Sequence, residues 1–201
     1  MNAAFRSPVR YLITEGKAAK DNFKQKKREI VNSVRNAADR GIELVQIREK
    51  QLSAKLLYEL ASAAVDAAKG SQTKILINDR FDIAVAAKTD GVHLTGRSIP
   101  AAVVRKNTPN NFLIGVSTHS LAETVAAAKD GADFALFGPV FETPGKGDVV
   151  GIDKLAAICE SVAPFPVIAV GGIDASNYRQ ILENGAAGFA AIRYLNDFLC
   201  S

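Results

Sequence analysis

Eight short apolar runs recur along this chain, at 10–14 (RYLIT), 43–48 (ELVQIR), 74–78 (KILIN), 91–94 (GVHL), 112–117 (FLIGVS), 133–138 (DFALFG), 166–171 (PVIAVG) and 188–192 (GFAAI). They are nearly continuous in apolar residues rather than alternating with polar ones. Strands covered on both faces read this way, and parallel sheets are covered on both faces by their crossover helices. Helical patterns lie between the runs. Within 52–69, Leu57, Leu60, Ala61, Ala64 and Val65 form one stripe. Within 120–129, Ser120 and Glu123 make a capping box ahead of Leu121 and Val125. Over 174–184, Asp174 is expected to cap a helix, with Ile173 stapled onto Tyr178.

A weak repeat supports stacked α/β units. Arg40-Gly41, Asp90-Gly91, Asp130-Gly131 and Asn184-Gly185 each close a helical pattern and open a strand, where Gly ends a helix in the left-handed conformation without a Cβ penalty. Eight strands alternating with helices in 201 residues predict one domain over 1–201, a (β/α)8 TIM barrel. An open doubly wound sheet is the alternative. Only RYLNDFLCS (193–201) follows the eighth run, so the last helix is short, about two turns, and the barrel is expected to be poorly covered there. That leaves room for a partner surface over strand eight, and so for a homo-oligomer.

The chain is 48% hydrophobic and 23% charged, which is globular rather than disordered. Part of the net charge of +4 sits in KQKKR (24–28). This reads as a solvated helix face, since it lacks the interleaved aromatics of a single-strand nucleic-acid binder, and no nucleic-acid partner is expected. No apolar run approaches the roughly 18 residues that span a bilayer, so no membrane partner is expected. Cys159 and Cys200 lie far apart without metal-ligand spacing; they suit a reducing cytosol, and a cytoplasmic location is expected.

In a barrel, polar residues at the C-terminal ends of the strands form the active-site mouth. Here those ends offer Gln46, Arg48, Glu49 and Lys50; Asn78 and Asp79; His93; Ser117, Thr118 and His119; Thr143 and Lys146 in a Gly/Pro-rich loop; Gly171-Gly172; and Arg193. With Arg97, the set is strongly cationic and calls for an anionic small molecule. Backbone N–H groups at Gly171-Gly172, expected to open the helix capped by Asp174, suit a phosphate. His119 suits proton transfer. Simpler roles are open for several: ion pairs of Arg48 and Glu49 across neighbouring strands, an N-cap for Asp79, a packed barrel histidine for His93, and an Arg193–Asp197 pair.

VQIREK, INDRFDIA, DGVHL, GVSTHSLAE, GADFALFGPVFETPGKGD and VIAVGGI occur in order across roughly 11–192. Together they resemble the thiamine phosphate synthase/TenI superfamily. The resemblance implies a (β/α)8 barrel handling a thiazole phosphate in thiamine biosynthesis, by one of two activities. The synthase joins hydroxymethylpyrimidine pyrophosphate to a thiazole phosphate, releases pyrophosphate and needs Mg²⁺. The TenI type is a metal-independent thiazole tautomerase.

The resemblance implies substrate-binding roles for Gln46, Lys50, Asn78, Asp79, Arg97, Ser117 and Thr143, and phosphate binding at Gly171, Gly172, Ile192 and Arg193. It implies catalytic roles for Arg48, Lys146 and His119. Two positions depart. Where the synthase has its second Mg²⁺-binding Asp this chain has Ser98, after Arg97, and where the family has a Ser after strand eight it has Arg193. A single Asp beside an Arg is a poor magnesium site, so no cofactor is expected, with Asp79 the ligand if Mg²⁺ is bound. The leading expectation is therefore a TenI-type tautomerase using His119 as general acid/base. The alternatives are a divergent synthase in which Arg97 partly replaces the metal, and a non-catalytic barrel that binds a phosphate ester.

Overall fold

A computed structural model describes residues 8–143, 145 and 148–200, the last by its backbone only. Strands and helices alternate: β1 (Val9–Ile13), α1 (Phe23–Asp39), β2 (Leu44–Ile47), α2 (Ala54–Ala68), β3 (Lys74–Asn78), α3 (Phe81–Ala86), β4 (Gly91–Leu94), α4 (Ala101–Lys106), β5 (Leu113–Thr118), α5 (Leu121–Lys129), β6 (Phe134–Phe137), α6 (Ile152–Val162), β7 (Val167–Val170), α7 (Tyr178–Glu183), β8 (Gly188–Ala191) and α8 (Arg193–Cys200). All strand pairs are parallel, and β1 pairs with both β2 and β8 to close the barrel. Each apolar run of the sequence holds one strand, and the open-sheet alternative is excluded by the closure.

Period-two alternation divides the apolar residues into two cores. Inside the barrel lie Val9, Tyr11, Ile13, Leu44, Leu76, Phe134, Leu136, Ile168 and Ala190. Between the barrel and its helices lies the larger core, including Leu12, Val45, Ile77, Leu60 and Leu155. Gly115 leaves room for the Phe134 ring, since a Cβ there would stand 2.3 Å from it. The ring in turn meets Tyr11 edge-on at 5.8 Å between centroids.

The glycine repeat holds at three joints, where Gly41, Gly131 and Gly185 have φ of 68°, 84° and 86°. The fourth differs. Lys88 takes the left-handed turn, and Gly91 lies within β4, where a Cβ would stand 2.2 Å from the Leu113 carbonyl oxygen. Ser120 caps α5 by accepting from the Glu123 N–H, but Glu123 returns to the His119 N–H rather than to Ser120. Asp174 caps no helix. Its carboxylate accepts from Ser176, and α7 begins four residues later behind Asn177.

The short last helix covers its seam better than the sequence suggests. Leu195 and Leu199 are buried, Asn196 donates to Ile192 O at 2.6 Å, and the Arg40 guanidinium of α1's C-cap lies over the Phe198 ring at 5.1 Å. Within the basic run, Lys26 pairs with Glu29 and Lys27 with Glu59, as a solvated helix face would. Among the described residues no helix is long and apolar enough to cross a membrane.

The closure makes a steric prediction. A Cβ at Gly188 would stand 2.1 Å from the Val9 carbonyl oxygen, a backbone atom that cannot step aside. Gly188→Ala should cost about 1–3 kcal/mol of stability, read as a lower midpoint in urea unfolding. An unchanged midpoint would show that the seam gives way.

Candidate active site

The inward alternation of the strands continues past the apolar core to their C-terminal ends. It brings Gln46, Asn78, His93 and Ser117 to one floor at the barrel mouth. Gln46 is buried and donates Nε2–H to Asn78 Oδ1 at 3.1 Å. His93, also buried, spans Tyr11 and Ser117, with Nδ1 3.2 Å from the Tyr11 hydroxyl and Nε2 2.8 Å from Ser117 Oγ. Burial first, and the Arg48 charge second, push His93 down to a pKa of about 3, so its ring is neutral at physiological pH. His93 is thus the packed barrel histidine that the sequence allows.

Asp79 breaks the alternation with φ of 65°. Its N–H donates to His93 O at 2.8 Å, and Oδ1 accepts the Ser98 hydroxyl proton. Asp79 is therefore not an N-cap; Arg80 precedes α3, without a side-chain cap. Ser98 Oγ also accepts from the Thr95 N–H at 2.8 Å, which folds the TGRS turn over Asp79. A pocket of about 280 Å³ opens here, lined by Lys50, Arg80 and Arg97 with Asn78, Asp79 and Thr95. Glu49 also lines it, with its carboxylate turned to the β1–α1 loop, and Arg80 is held by Asp82. The three cations still outnumber the two lining carboxylates, so the pocket suits an anion.

His119 follows β5 at the rim. Its Nδ1 is 2.6 Å from the Gly138 carbonyl oxygen, which can only accept. Nδ1 is therefore the donor, which in the neutral ring leaves the lone pair on Nε2. Beyond β6, Val140 N–H donates to Val170 O and Phe141 N–H to Gly171 O, drawing this loop onto the end of β7. A Cβ on Gly172 would stand 2.5 Å from Glu142 O, so the Gly171-Gly172 pair seats the loop rather than opening a helix. Thr143 Oγ1 donates to Phe141 O at 3.0 Å, and Lys146 lies outside the described residues. Ile192 packs on the inner core at the end of β8. Arg193 is exposed at the start of α8, and the Arg193–Asp197 pair is absent among the described residues.

Glu49 turns out to be structural. Only 3% exposed, it accepts from Thr14 Oγ1 at 2.6 Å, Gly16 N–H at 3.1 Å and Ala18 N–H at 2.7 Å. Among the described residues neither Arg48 nor Glu49 forms an ion pair across neighbouring strands, and the Glu49 carboxylate pins the β1–α1 loop beside the mouth. The sequence reading also passed over Tyr11, hidden among apolar neighbours, and Arg80. Thr118 faces the helices and bonds Thr124 at 3.0 Å.

The donor set does not fit a resident divalent metal. Mg²⁺ wants several oxygen ligands in octahedral array. Of the two carboxylates lining the pocket, Asp79 is engaged by Ser98 and Glu49 by three donors of the β1–α1 loop, and Lys50, Arg80 and Arg97 share their space. Among the described residues no group of three His, Cys, Asp or Glu side chains gathers anywhere.

Comparison with known proteins places this geometry. The family model described as thiamine monophosphate synthase matches residues 10–195. A putative thiamine-phosphate synthase of Geobacter sulfurreducens is 44% identical over 90% of this chain and 84% of its own. A putative thiamine-phosphate synthase 2 of Aquifex aeolicus is 38% identical over 92% of this chain and 96% of its own. Among solved structures, a thiamine phosphate pyrophosphorylase from Pyrococcus furiosus superposes with a TM-score of 0.81 at 31% identity, covering 96% of this chain and 92% of that one.

The buried histidine predicts an acid limb in stability. Folded His93 binds its proton only near pH 3, against 6.5 for the ordinary side chain. Between these values the unfolded chain holds more protons, so stability falls as pH drops, by up to about 1.4 kcal/mol per unit. Asp82, held low chiefly by Arg80, and Asp174, held low chiefly by Ser176, act only further down, below the usual carboxylate range. Urea unfolding from pH 7 to 4 should show the slope in wild type and a flatter one in His93→Gln. Equal slopes would mean that other groups govern the limb.

Proposed function

Since this chain belongs to the thiamine monophosphate synthase family, we propose that it joins a hydroxymethylpyrimidine pyrophosphate to a thiazole phosphate. The pyrimidine methylene carbon gives up its diphosphate oxygen, which leaves with the bonding electrons as pyrophosphate, and bonds the thiazole nitrogen. The observation that carries this reading is the concentration of Lys50, Arg80 and Arg97 in the pocket beside Asn78 and Asp79. A leaving diphosphate gathers negative charge, and cations fixed beside it stabilise that charge where it develops. Relatives named thiamine-phosphate synthase support the same reading over the tautomerase that the Ser98 departure first suggested.

Gln46, Asn78 and Ser117 would orient the pyrimidine, with Arg48, Lys50 and Arg97 on the diphosphate. Thr143 and Lys146 belong to the loop beyond β6 that borders the site. The thiazole phosphate would lie against Gly171, Gly172, Ile192 and Arg193, where the β7 and β8 loops of such barrels hold phosphate. Lacking a metal-binding pair of carboxylates, this chain would meet the diphosphate charge with side chains, two-pronged in the case of Arg97.

Tautomerisation of a thiazole phosphate carboxylate is a second reading. It is favoured by one observation, the bond from His119 Nδ1 to Gly138 O that leaves Nε2 as the base.

A coupled assay with both synthase substrates, with Mg²⁺ and with chelator, decides. Thiamine phosphate should form in both, and Ser98→Asp should make formation depend more on Mg²⁺. Conversion of thiazole carboxylate isomers without condensation would instead establish the tautomerase, and phosphate-ester binding without turnover the non-catalytic barrel. Arg193→Ala should weaken binding of the phosphorylated thiazole about 10- to 100-fold, the worth of one charge-assisted contact. The unphosphorylated alcohol should bind both proteins alike by calorimetry. Equal phosphate-ester affinity would remove Arg193 from the site.

A further inference from the structure

The floor of the mouth holds two buried titratable groups that the proposed reaction does not use. Tyr11 is fully buried, and burial raises its pKa well above the usual phenol value. It therefore always has a proton to place. Among the described residues its hydroxyl has one polar neighbour, His93 Nδ1 at 3.2 Å. His93 is neutral and so carries one ring proton. Two polarities are conceivable. If Nδ1 held the proton, it would donate to the Tyr11 oxygen, and the phenolic proton would be buried with no acceptor. A buried donor left unpaired is costly, and native interiors avoid it. If Nδ1 is bare, Tyr11 donates to it, Nε2 carries the proton and donates to Ser117 Oγ at 2.8 Å, and every buried proton is placed.

We infer that Tyr11 and His93 form a one-way hydrogen-bond chain that donates to one lone pair of Ser117 Oγ and leaves the Ser117 O–H free to donate, so that Ser117 favours substrates presenting a hydrogen-bond acceptor. Tyr11 and His93 are positioning residues; Ser117 is the group that meets the ligand. Among the described residues no acceptor takes the Ser117 proton, which leaves it for a ring nitrogen or a phosphoryl oxygen. The aromatic packing holds the chain in line, with the His93 ring 5.9 Å from Tyr11 and 6.3 Å from Phe134 between centroids. This deepens the synthase reading and rests on it for the identity of the acceptor, but the polarity itself rests on the buried geometry and the neutral ring, not on that reading.

The chain has two histidines, and they carry opposite tautomers here, His93 on Nε2 and His119 on Nδ1. Long-range ¹H–¹⁵N spectra of the full-length protein at neutral pH separate them directly. Wild type should show His93 protonated on Nε2, and Tyr11→Phe should move the bare Nδ1 resonance as it loses its donor. Protonated Nδ1 in wild type, or an unmoved resonance in the variant, overturns the inference whatever the enzyme's activity. Kinetically, Ser117→Ala should lower kcat/KM about 10-fold, as losing one hydrogen bond would. Tyr11→Phe should lower it less, Ser117→Thr should restore most of it, and Tyr11→Phe added to Ser117→Ala should do nothing further. Additive losses in the double variant would mean that Tyr11 acts through packing, which also overturns the inference. Absence of condensation activity with the expected tautomers would refute the synthase reading and leave the chain's polarity standing.

Discussion

Closing eight parallel strands on themselves leaves an interior that side chains must fill, and in this protein the filling reaches the chemistry. Within the aliphatic interior Tyr11, His93 and Phe134 pack ring against ring, and the His93 edge of that cluster reaches Ser117 on the floor of the mouth. Gly115 makes this arrangement feasible by leaving its volume to Phe134. A core that is rigid because it is close-packed therefore sets the position of Ser117. Stability and geometry at the site have one source.

Electrostatics settles what the mouth can hold. Asp79 is satisfied by the Ser98 hydroxyl and Glu49 by the β1–α1 loop, and the cations lining the pocket outnumber these two carboxylates. Where the resemblance implies a second acid, this chain sets a hydroxyl between an acid and an arginine, which suits the site to an anion.

The fold was legible because buried parallel strands are apolar throughout, so each run announced itself. The places of Gln46, Asn78 and Ser117 at the mouth were legible too, because they keep the period-two alternation of their strands. The misreadings lie where backbone conformation overrides that alternation. Asp79 sits at positive φ and turns to Ser98. Gly171-Gly172 serves close approach of a neighbouring loop, so Asp174 starts a turn and not a helix. Glu49 was read as a mouth residue because nothing in its neighbours marks three donors arriving from the β1–α1 loop. Tyr11 stayed hidden because a tyrosine in an apolar strand looks the same whether its hydroxyl serves water or a histidine.

The pairing of β1 with β8 also orders events in time. Val9–Leu12 are made well before their partners, Gly188–Ala191. Until Gly188–Ala191 is made, β1 has only β2 beside it, and its other edge is an unpaired row of donors and acceptors, the kind of edge that recruits stray strands. The nascent barrel therefore carries a liability at β1. That liability ends when β8 docks and α8 settles against α1, so β8 and α8 act as the latch of the barrel.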